Sequence, residues 1–388
     1  MVSDMNTNPG SQAAELHLSL RPRDSVAGLA PYSPGRDTRA VRRDTGFQGG
    51  VIKLASNEGA AGPLPAARAA IESVSSSTYR YPEAYASRLC GALAQLHRCE
   101  PDRIIAGAGV CALIAHICSA FLKEGDEVVV GDPTFHLYRL EALRTGAVVV
   151  CVPLTAAGSY DLAAMRAAVG SRTRIVYVCT PNNPTGGLTA REELDEFLRG
   201  LPARVLPVID EAYFEYVEHP DYPDPVRIHH RDGRPAIILR TFSKIYGLAG
   251  LRVGYAMAPA EAVATLRRIQ NPYEVNRAAQ AAALASLTDL PALDGRREHN
   301  TLSREKLSAA LADLGLKPLA SQGNFVCVKV GVAKRVAAAL EALGVIVRPL
   351  DAMGDPSSIR ITIGTAEENA RFLQQLRTVI GSVPQEGA

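Results

Sequence analysis

Four short segments carry side chains that could do chemistry together. They are a Gly-Ala-Gly turn at 107–109, "TPNNPTG" at 180–186, "DEAYFEY" at 210–216 and "TFSKIYGLAGLRVGY" at 241–255. Each follows an apolar run that predicts a β-strand. Together they supply a lysine, an arginine, carboxylates, an amide, a phenol and hydroxyls. Because open α/β sheets bind ligands beyond the carboxyl ends of their strands, we expect these side chains to share one site.

The turn from Gly107 to Gly109 leaves two interpretations open. With Asp132 after the next strand it matches a G-x-G-x-x-G/A dinucleotide pattern, which predicts a nicotinamide dehydrogenase. Alternatively, the helix predicted from Val110 presents free N–H groups and a positive dipole end to another phosphate. The dehydrogenase hypothesis gives Lys244 and the 180–186 segment no role, so the second interpretation explains more of the sequence.

The chemistry that uses all four segments is that of pyridoxal phosphate. This cofactor needs a lysine, a carboxylate at its ring nitrogen, a donor to its phenolic oxygen, a phosphate cradle and a stacking plate. Asp210 would keep the ring nitrogen protonated, and Tyr213 and Asn183 would bind the phenolic oxygen. Lys244 would bond to the aldehyde and later move the α-proton of the substrate.

The phosphate of that cofactor needs donors of its own. Thr241, Ser243 and Arg252 would bind it, the arginine through its planar guanidinium. The helix N-terminus at Val110 and Cys111 would complete the cradle with backbone N–H groups.

Taken in this order, "TPNNPTG", "DEAY" and "SKIYGLAGLRVGY" resemble a known family. The chain is similar to fold-type I pyridoxal-phosphate enzymes of the class I/II aminotransferase superfamily, and most similar to histidinol-phosphate aminotransferases. The resemblance runs from Leu29 to the segment "IRITIGTAEENARFL". It implies that Lys244 is the Schiff-base lysine, that Asp210 binds the ring nitrogen, and that Asn183 and Tyr213 bind the phenolic oxygen.

The resemblance also implies roles outside the four segments. Phe135 in "DPTFHLY" takes the place of the aromatic that stacks on the cofactor. Tyr81 takes that of a tyrosine reaching the cofactor phosphate of a neighbouring subunit, which implies a homodimer with shared active sites. Substrate contacts are implied for Arg360, which would bind the α-carboxylate, and for Tyr32, Arg348 and Asn57.

The implied reaction is transamination of an amino acid or amino-alcohol derivative, with glutamate as donor and a keto or aldehyde compound as acceptor. The alternative is a decarboxylase, lyase or cyclase with the same cofactor. Two departures from the family pattern motivate it. "NEGAAGP" at 57–63 stands where the family commonly has Asn-Glu-Asn-Pro-Tyr-Gly, and "GAGVCA" at 107–112 replaces a segment containing Gly-Ser-Asp-Glu.

These residues need a scaffold of alternating elements. From about residue 86 to 258, helical patterns alternate with strands that are apolar throughout, which predicts a mostly parallel, doubly wound α/β sheet covered on both faces. Ala/Leu-rich helices and further strands then predict a smaller α+β unit. We expect a flexible arm at 1–20, a small domain from 21–74 and 276–388, and a large cofactor-binding domain at 75–275. Tyr138 is expected to be a core residue.

Composition, net charge and cysteine spacing indicate which classes of partner the protein can bind. The 388 residues are 47% hydrophobic and 21% charged with a net charge of +2, which provides no electrostatic footprint for nucleic acid or an anionic membrane. Seven scattered cysteines without C-x-x-C spacing argue against a zinc site and for a reducing compartment. With a polar N-terminus and no long apolar run, the sequence predicts a cytoplasmic protein acting on small molecules.

Overall fold

Strands and helices alternate along the chain as the sequence predicts. The computed structural model describes residues 21–222 and 236–382, so the predicted arm lies outside the described residues. The described strands are β1 (Ile52–Leu54), β2 (Ile104–Gly107), β3 (Glu127–Asp132), β4 (Val148–Pro153), β5 (Thr173–Cys179), β6 (Leu206–Asp210), β7 (Ile237–Thr241), β8 (Gly254–Met257), β9 (Phe325–Lys329), β10 (Val345–Pro349) and β11 (Ser358–Thr362).

Most helices match the predicted helical patterns to within a few residues, but Asp24–Ala27, Thr38–Thr45 and Ala260–Arg267 were not predicted. They are α1 (Asp24–Ala27), α2 (Thr38–Thr45), α3 (Pro65–Val74), α4 (Ser87–His97), α5 (Val110–Phe121), α6 (Leu137–Arg144), α7 (Leu162–Ala167), α8 (Arg191–Gly200), α9 (Ala260–Arg267), α10 (Arg277–Ser286), α11 (Ala292–Asp313), α12 (Ala333–Ala342) and α13 (Ala366–Ser382). Within the described residues, no helix is both long and apolar enough to cross a bilayer.

The larger sheet has seven strands in the order β2-β8-β7-β6-β5-β3-β4. Strands β3 to β7 pair in parallel, and β8 runs antiparallel between β2 and β7. Residues of β3, β5 and β6 are buried with helices α5 and α8 in one core, and α4 and α10 contribute to another. Because both faces are covered, these strands are apolar throughout. The predicted doubly wound sheet is confirmed.

A smaller sheet of four strands has the order β1-β10-β11-β9. Strand β1 comes from the early part of the chain and pairs in parallel with β10, whereas the other pairs are antiparallel. Helices α12 and α13 cover this sheet with a third apolar core. The predicted smaller α+β unit is therefore present, and it joins early and late segments of the sequence as expected.

The boundaries of the predicted domains stay a prediction. Helices α3 and α10, which the predicted division assigns to the small domain, pack against each other. Their buried alanines, Ala67, Ala279, Ala282 and Ala283, share a core with Ile104 and other residues of the larger sheet. The apolar faces of these two helices are therefore buried against the larger sheet.

Candidate active site

One cavity of about 320 Å³ lies between the carboxyl edge of the larger sheet and the smaller sheet. Loops that follow the parallel strands line one side of it, and β10 and β11 line the other. All predicted site residues except Tyr81 line this cavity: Lys244, Asp210, Tyr213, Asn183, Thr241, Ser243, Arg252, Phe135, Val110, Cys111, Arg360, Tyr32, Arg348 and Asn57. Their roles in binding and catalysis stay predictions, but their proximity is a property of the fold.

Lys244 projects into the cavity from the loop after β7. Its Nζ donates a hydrogen bond to the backbone oxygen of Ser56 at 3.2 Å and lies 5.5 Å from the ring centroid of Tyr213. Burial and the nearby cation of Arg360 lower the pKa of Lys244 to about 8. A large share of its amine is therefore neutral near physiological pH, as a nucleophile or a general base requires.

Asp210 ends β6 and is buried. Its Oδ1 accepts a hydrogen bond from the backbone N–H of Ala212 at 3.0 Å, and its Oδ2 accepts one from the hydroxyl of Tyr138 at 2.7 Å. Burial raises the pKa of Asp210 to about 6, and these two hydrogen bonds oppose that rise. Tyr138 is buried in the core, as expected from the sequence. Its hydrogen bond to Asp210 was not predicted.

Tyr213 and Asn183 each form a hydrogen bond with a residue that is predicted to contact the substrate. The side-chain amide of Asn57 donates to the Tyr213 hydroxyl at 3.0 Å. Asn183 Oδ1 accepts from Arg360 Nη1 at 2.5 Å. Burial raises the pKa of Tyr213, so its phenol stays protonated and is able to donate. The two predicted phenolate contacts are thus connected to the predicted substrate contacts.

Arg360 is a buried cation that faces the cavity. It lies on β11 directly opposite Arg348 of β10, is only 5% exposed, and donates through Nη2 to the backbone oxygen of Ala55 at 2.6 Å. Its buried Nε has no hydrogen-bond partner within the described chain. A buried guanidinium whose contacts are neutral is costly unless an anion binds it. This position therefore suits an acidic group of a substrate.

An anion cradle forms where α5 begins. Gly109 precedes the helix with a φ of +80°, and a Cβ built there would lie 2.4 Å from Arg252 Nη2. Arg252 Nη1 lies 3.4 Å from Ser243 Oγ, and the N–H of Ser243 donates to Thr241 Oγ1 at 3.1 Å. The guanidinium, two hydroxyls and the N-terminal N–H groups of α5 at Val110 therefore converge on one point, which suits a phosphate.

A carboxylate behind this cradle was missed by sequence reasoning. Glu274 Oε1 accepts from the backbone N–H of Ala108 at 2.9 Å, and its Oε2 lies 2.8 Å from His116 Nε2. Burial raises the pKa of Glu274, but the hydrogen bonds from His116 and Ala108 outweigh it and hold the pKa below its usual value. Glu274 thus stays ionised and fixes the glycine turn. No local motif marks it, because its partners are more than a hundred residues away.

Phe135, Arg348 and Tyr32 lie at the predicted places. Phe135 precedes α6 and packs edge-on against Tyr138, with ring centroids 5.5 Å apart. Arg348 Nη2 donates to the backbone oxygen of Ser33 at 2.9 Å and so holds the early segment that carries Tyr32. Tyr32 is 44% exposed at the mouth of the cavity.

Tyr81 lies outside the cavity of its own chain. It is 77% exposed and stacks on Tyr273, with ring centroids 4.6 Å apart. Its exposed ring is accessible to another subunit, and its predicted contact with the cofactor of that subunit stays a prediction.

Comparison with known proteins agrees with this geometry. The family model for class I and II aminotransferases matches residues 49–376. The chain is 40% identical over 359 residues to a histidinol-phosphate aminotransferase of Moorella thermoacetica, with 92% of each chain covered. It is 41% identical over 356 residues to histidinol-phosphate aminotransferase 1 of Nitrosococcus oceani, with 92% of this chain and 95% of the relative covered.

Solved structures show the same likeness. The crystal structure of histidinol-phosphate aminotransferase from Sinorhizobium meliloti in complex with pyridoxal-5'-phosphate superposes with a TM-score of 0.85 at 29% identity, covering 95% of this chain and all of that one. The chain therefore belongs to the class I and II aminotransferase family. It is a pyridoxal-phosphate-dependent transaminase, as the sequence predicts, and the dehydrogenase hypothesis is wrong.

The pKa of Lys244 leads to a test of its reactivity. We expect the cofactor-free protein to take up pyridoxal phosphate at a rate that rises with pH, is half-maximal near pH 8 and levels off about one pH unit higher, because the amine must lose its proton to react. Stopped-flow absorbance measures this rate. In Arg360→Gln the plateau moves to higher pH, because a neighbouring cation is lost. A wild-type rate that keeps rising to about pH 10, as for an exposed lysine, would contradict this prediction.

The cradle leads to a second prediction. Gly109→Ala forces a side chain into a left-handed backbone and displaces the guanidinium of Arg252. We expect pyridoxal phosphate to bind about tenfold more weakly or worse, measured by fluorescence titration of cofactor-free protein. Gly250→Ala is the control, because a Cβ at Gly250 meets nothing within 4 Å. Equal affinities for the two variants would show that the turn does not shape the cradle.

Proposed function

We propose that the chain transfers the amino group between histidinol phosphate, or a closely similar amino-alcohol phosphate, and the keto acid of glutamate. The main observation is the pair of arginines, Arg360 and Arg348, opposite each other on neighbouring strands beside Lys244. Such a pair suits the phosphate of an amino alcohol as well as the carboxylate of an amino acid. Relatives at 36–41% identity carry the name of that activity.

The residues present fit pyridoxal phosphate. When bound, this cofactor supplies an aldehyde and an electron-withdrawing ring. Thr241, Ser243, Arg252 and the N-terminus of α5 at Val110 and Cys111 would hold its phosphate. Asp210 would keep a proton on its ring nitrogen. Tyr213 and Asn183 would bind its phenolic oxygen, and Phe135 would cover its face.

The chain's own groups then carry the amino transfer. Arg360 and Arg348 bind the acidic group of the substrate and orient its Cα–H bond, while Asn57 positions Tyr213. With the cofactor bound, Lys244 Nζ would take the proton from the substrate Cα and give it to the carbon of the cofactor's aldehyde group, which its lowered pKa allows. The same groups accept the keto substrate in the second half of the reaction.

Activity assays test the proposed reaction. We expect the purified protein to convert histidinol phosphate and 2-oxoglutarate to glutamate, with product identity established by mass spectrometry. Lys244→Ala loses at least about a thousandfold of this activity because the nucleophile and base disappear. Arg360→Lys raises KM for the acidic substrate more than it lowers kcat, because the charge stays while the planar fork is lost. Release of carbon dioxide or ring closure instead of glutamate formation would favour the decarboxylase, lyase or cyclase alternative.

We also propose a homodimer in which Tyr81 completes the phosphate site of the neighbouring subunit. Tyr81 and Tyr273 stack as an exposed aromatic pair, and Tyr79 and Tyr85, which are close to Tyr81 in the sequence, are exposed too. The guanidinium of Arg277 fixes this segment by donating to the backbone oxygen of Tyr81 at 2.5 Å. Exposed aromatic residues of this kind are typical of protein interfaces.

Mixed dimers test the shared site. We expect Tyr81→Ala and Lys244→Ala proteins to have little activity separately, and to regain about a quarter of wild-type activity when refolded together. Random mixing makes half of the dimers mixed, and one of the two sites in each is then intact. A mixture that regains nothing, although size-exclusion chromatography shows dimers, would mean that Tyr81 acts within its own subunit or has no role.

The cytoplasm is the proposed location. All seven cysteines are free thiols in the structure, including Cys118 and Cys179 in the buried core. Free cysteines persist in reducing compartments.

A further inference from the structure

Tyr138 is a buried residue that the mechanism above does not use. It lies on α6 with no exposed surface, and its hydroxyl donates to Asp210 Oδ2 at 2.7 Å. Its ring stacks on Tyr177 of β5, with centroids 4.4 Å apart and ring planes 9° from parallel. Phe135, which would cover the cofactor, packs edge-on against the same ring. Tyr138 therefore lines the same cavity as Asp210 and Phe135 and contacts both of them.

We propose that Tyr138 is a positioning residue for transamination, which keeps the Asp210 carboxylate ionised and aimed into the cavity and also supports Phe135. This inference rests on the proposed function, because both groups act through the cofactor ring. Because Tyr138 acts through its hydrogen bond to Asp210, its loss should change the pH dependence of the reaction.

The physical basis is the cost of a buried negative charge. Burial disfavours the ionised form of Asp210, and only an ionised carboxylate holds a proton on a ring nitrogen. The backbone N–H of Ala212 is one donor that stabilises the charge, and the Tyr138 hydroxyl is the other. A hydrogen bond to a charged group stabilises more than one between neutral groups. Removing the hydroxyl leaves Oδ2 of a buried carboxylate without this donor.

We expect Asp210 to be the group whose titration sets the acid limb of the pH–activity profile, because of the ionisable groups around it. Besides Tyr138, the ionisable groups that act on it, from its own segment and from neighbouring elements, are Glu211, Lys244, Cys111, Cys179, Tyr160, Tyr177 and Tyr213. Burial raises the pKa of these thiols and phenols, so they stay neutral near pH 7. Glu211 is paired with Arg240 at 2.8 Å.

Tyr138 itself is suited to be a donor. Burial raises the pKa of its phenol, and the charge of Asp210 raises it further. The phenol therefore keeps its proton throughout the working pH range. The stacking on Tyr177 and the edge contact with Phe135 hold the ring on both sides, which fixes the direction of the O–H bond.

The test compares Tyr138→Phe with Tyr177→Phe in the cofactor-loaded enzyme. Both variants remove one hydroxyl from a fully buried ring of the same stack. The Tyr177 hydroxyl lies 3.4 Å from Cys118 Sγ, whereas the side chain of Asp210 accepts from Tyr138 and Ala212. We expect kcat of Tyr138→Phe to fall about twofold at pH 7 and about tenfold near pH 5, with a smaller change in KM. The acid limb of its pH profile moves up by about one pH unit, since one hydrogen bond to a charge is lost. Tyr177→Phe keeps the wild-type profile.

A second measurement does not depend on turnover. In cofactor-free protein, infrared spectroscopy follows the C=O stretch of protonated Asp210, identified by its loss in Asp210→Asn. We expect this band to persist to higher pH in Tyr138→Phe than in wild type or Tyr177→Phe. If the band titrates alike in all three proteins, or if both phenylalanine variants move it equally, the proposal is wrong. A wild-type enzyme that does not transfer the amino group of histidinol phosphate, combined with the expected infrared shift, would refute the proposed function and leave the role of Tyr138 intact.

Discussion

Two buried ionisable groups of opposite charge, the carboxylate of Asp210 and the amine of Lys244, share one cavity, and the rest of the site depends on keeping both in usable states. Burial is unfavourable for each charge, so it raises the pKa of Asp210 and lowers that of Lys244. For the lysine this is useful, because a neutral amine reacts. For the aspartate it is a cost, which hydrogen bonds from Tyr138 and Ala212 offset.

The charge of the cavity indicates what it binds. Among the residues that the structure describes, its lining carries the cations Lys244, Arg252, Arg348 and Arg360 but only two carboxylates, Glu58 and Asp210. Two of the cations lie at separate anion positions, Arg252 at the start of α5 and Arg360 on β11. An excess of positive charge at two points suits a cofactor phosphate and an acidic group of the substrate. In the proposed function, the smaller sheet would therefore contribute recognition of the substrate, whereas the larger sheet would hold the cofactor.

Much of this site could be predicted because its residues follow strands of one parallel sheet. The loops after β5, β6 and β7 must meet at one edge, so Asn183, Asp210 and Lys244 could be placed together from sequence order. Arg360 was placed by resemblance, and its pairing opposite Arg348 requires the register of the smaller sheet. The helices and strands were also predictable, since their apolar patterns are long and regular.

The missed contacts share a physical reason. Tyr138 has the pattern of a core residue on a helix, and nothing in its neighbours shows that its hydroxyl reaches Asp210, 72 positions later. Glu274 lies in a loop with no motif, and its bond to Ala108 spans 166 positions. Single hydrogen bonds between distant segments depend on packing, which local patterns do not encode. The packing of α3 and α10 beside the larger sheet depends on such contacts between distant segments too.

The central claim is that Lys244 is the residue that bonds to the cofactor aldehyde. The most direct measurement is borohydride reduction of the cofactor-loaded protein, followed by digestion and peptide mass spectrometry. The account predicts one stable adduct with the mass of reduced pyridoxal phosphate on Lys244 Nζ, and its absence in Lys244→Ala. An adduct on another lysine, or none in a protein that binds the cofactor, would contradict it.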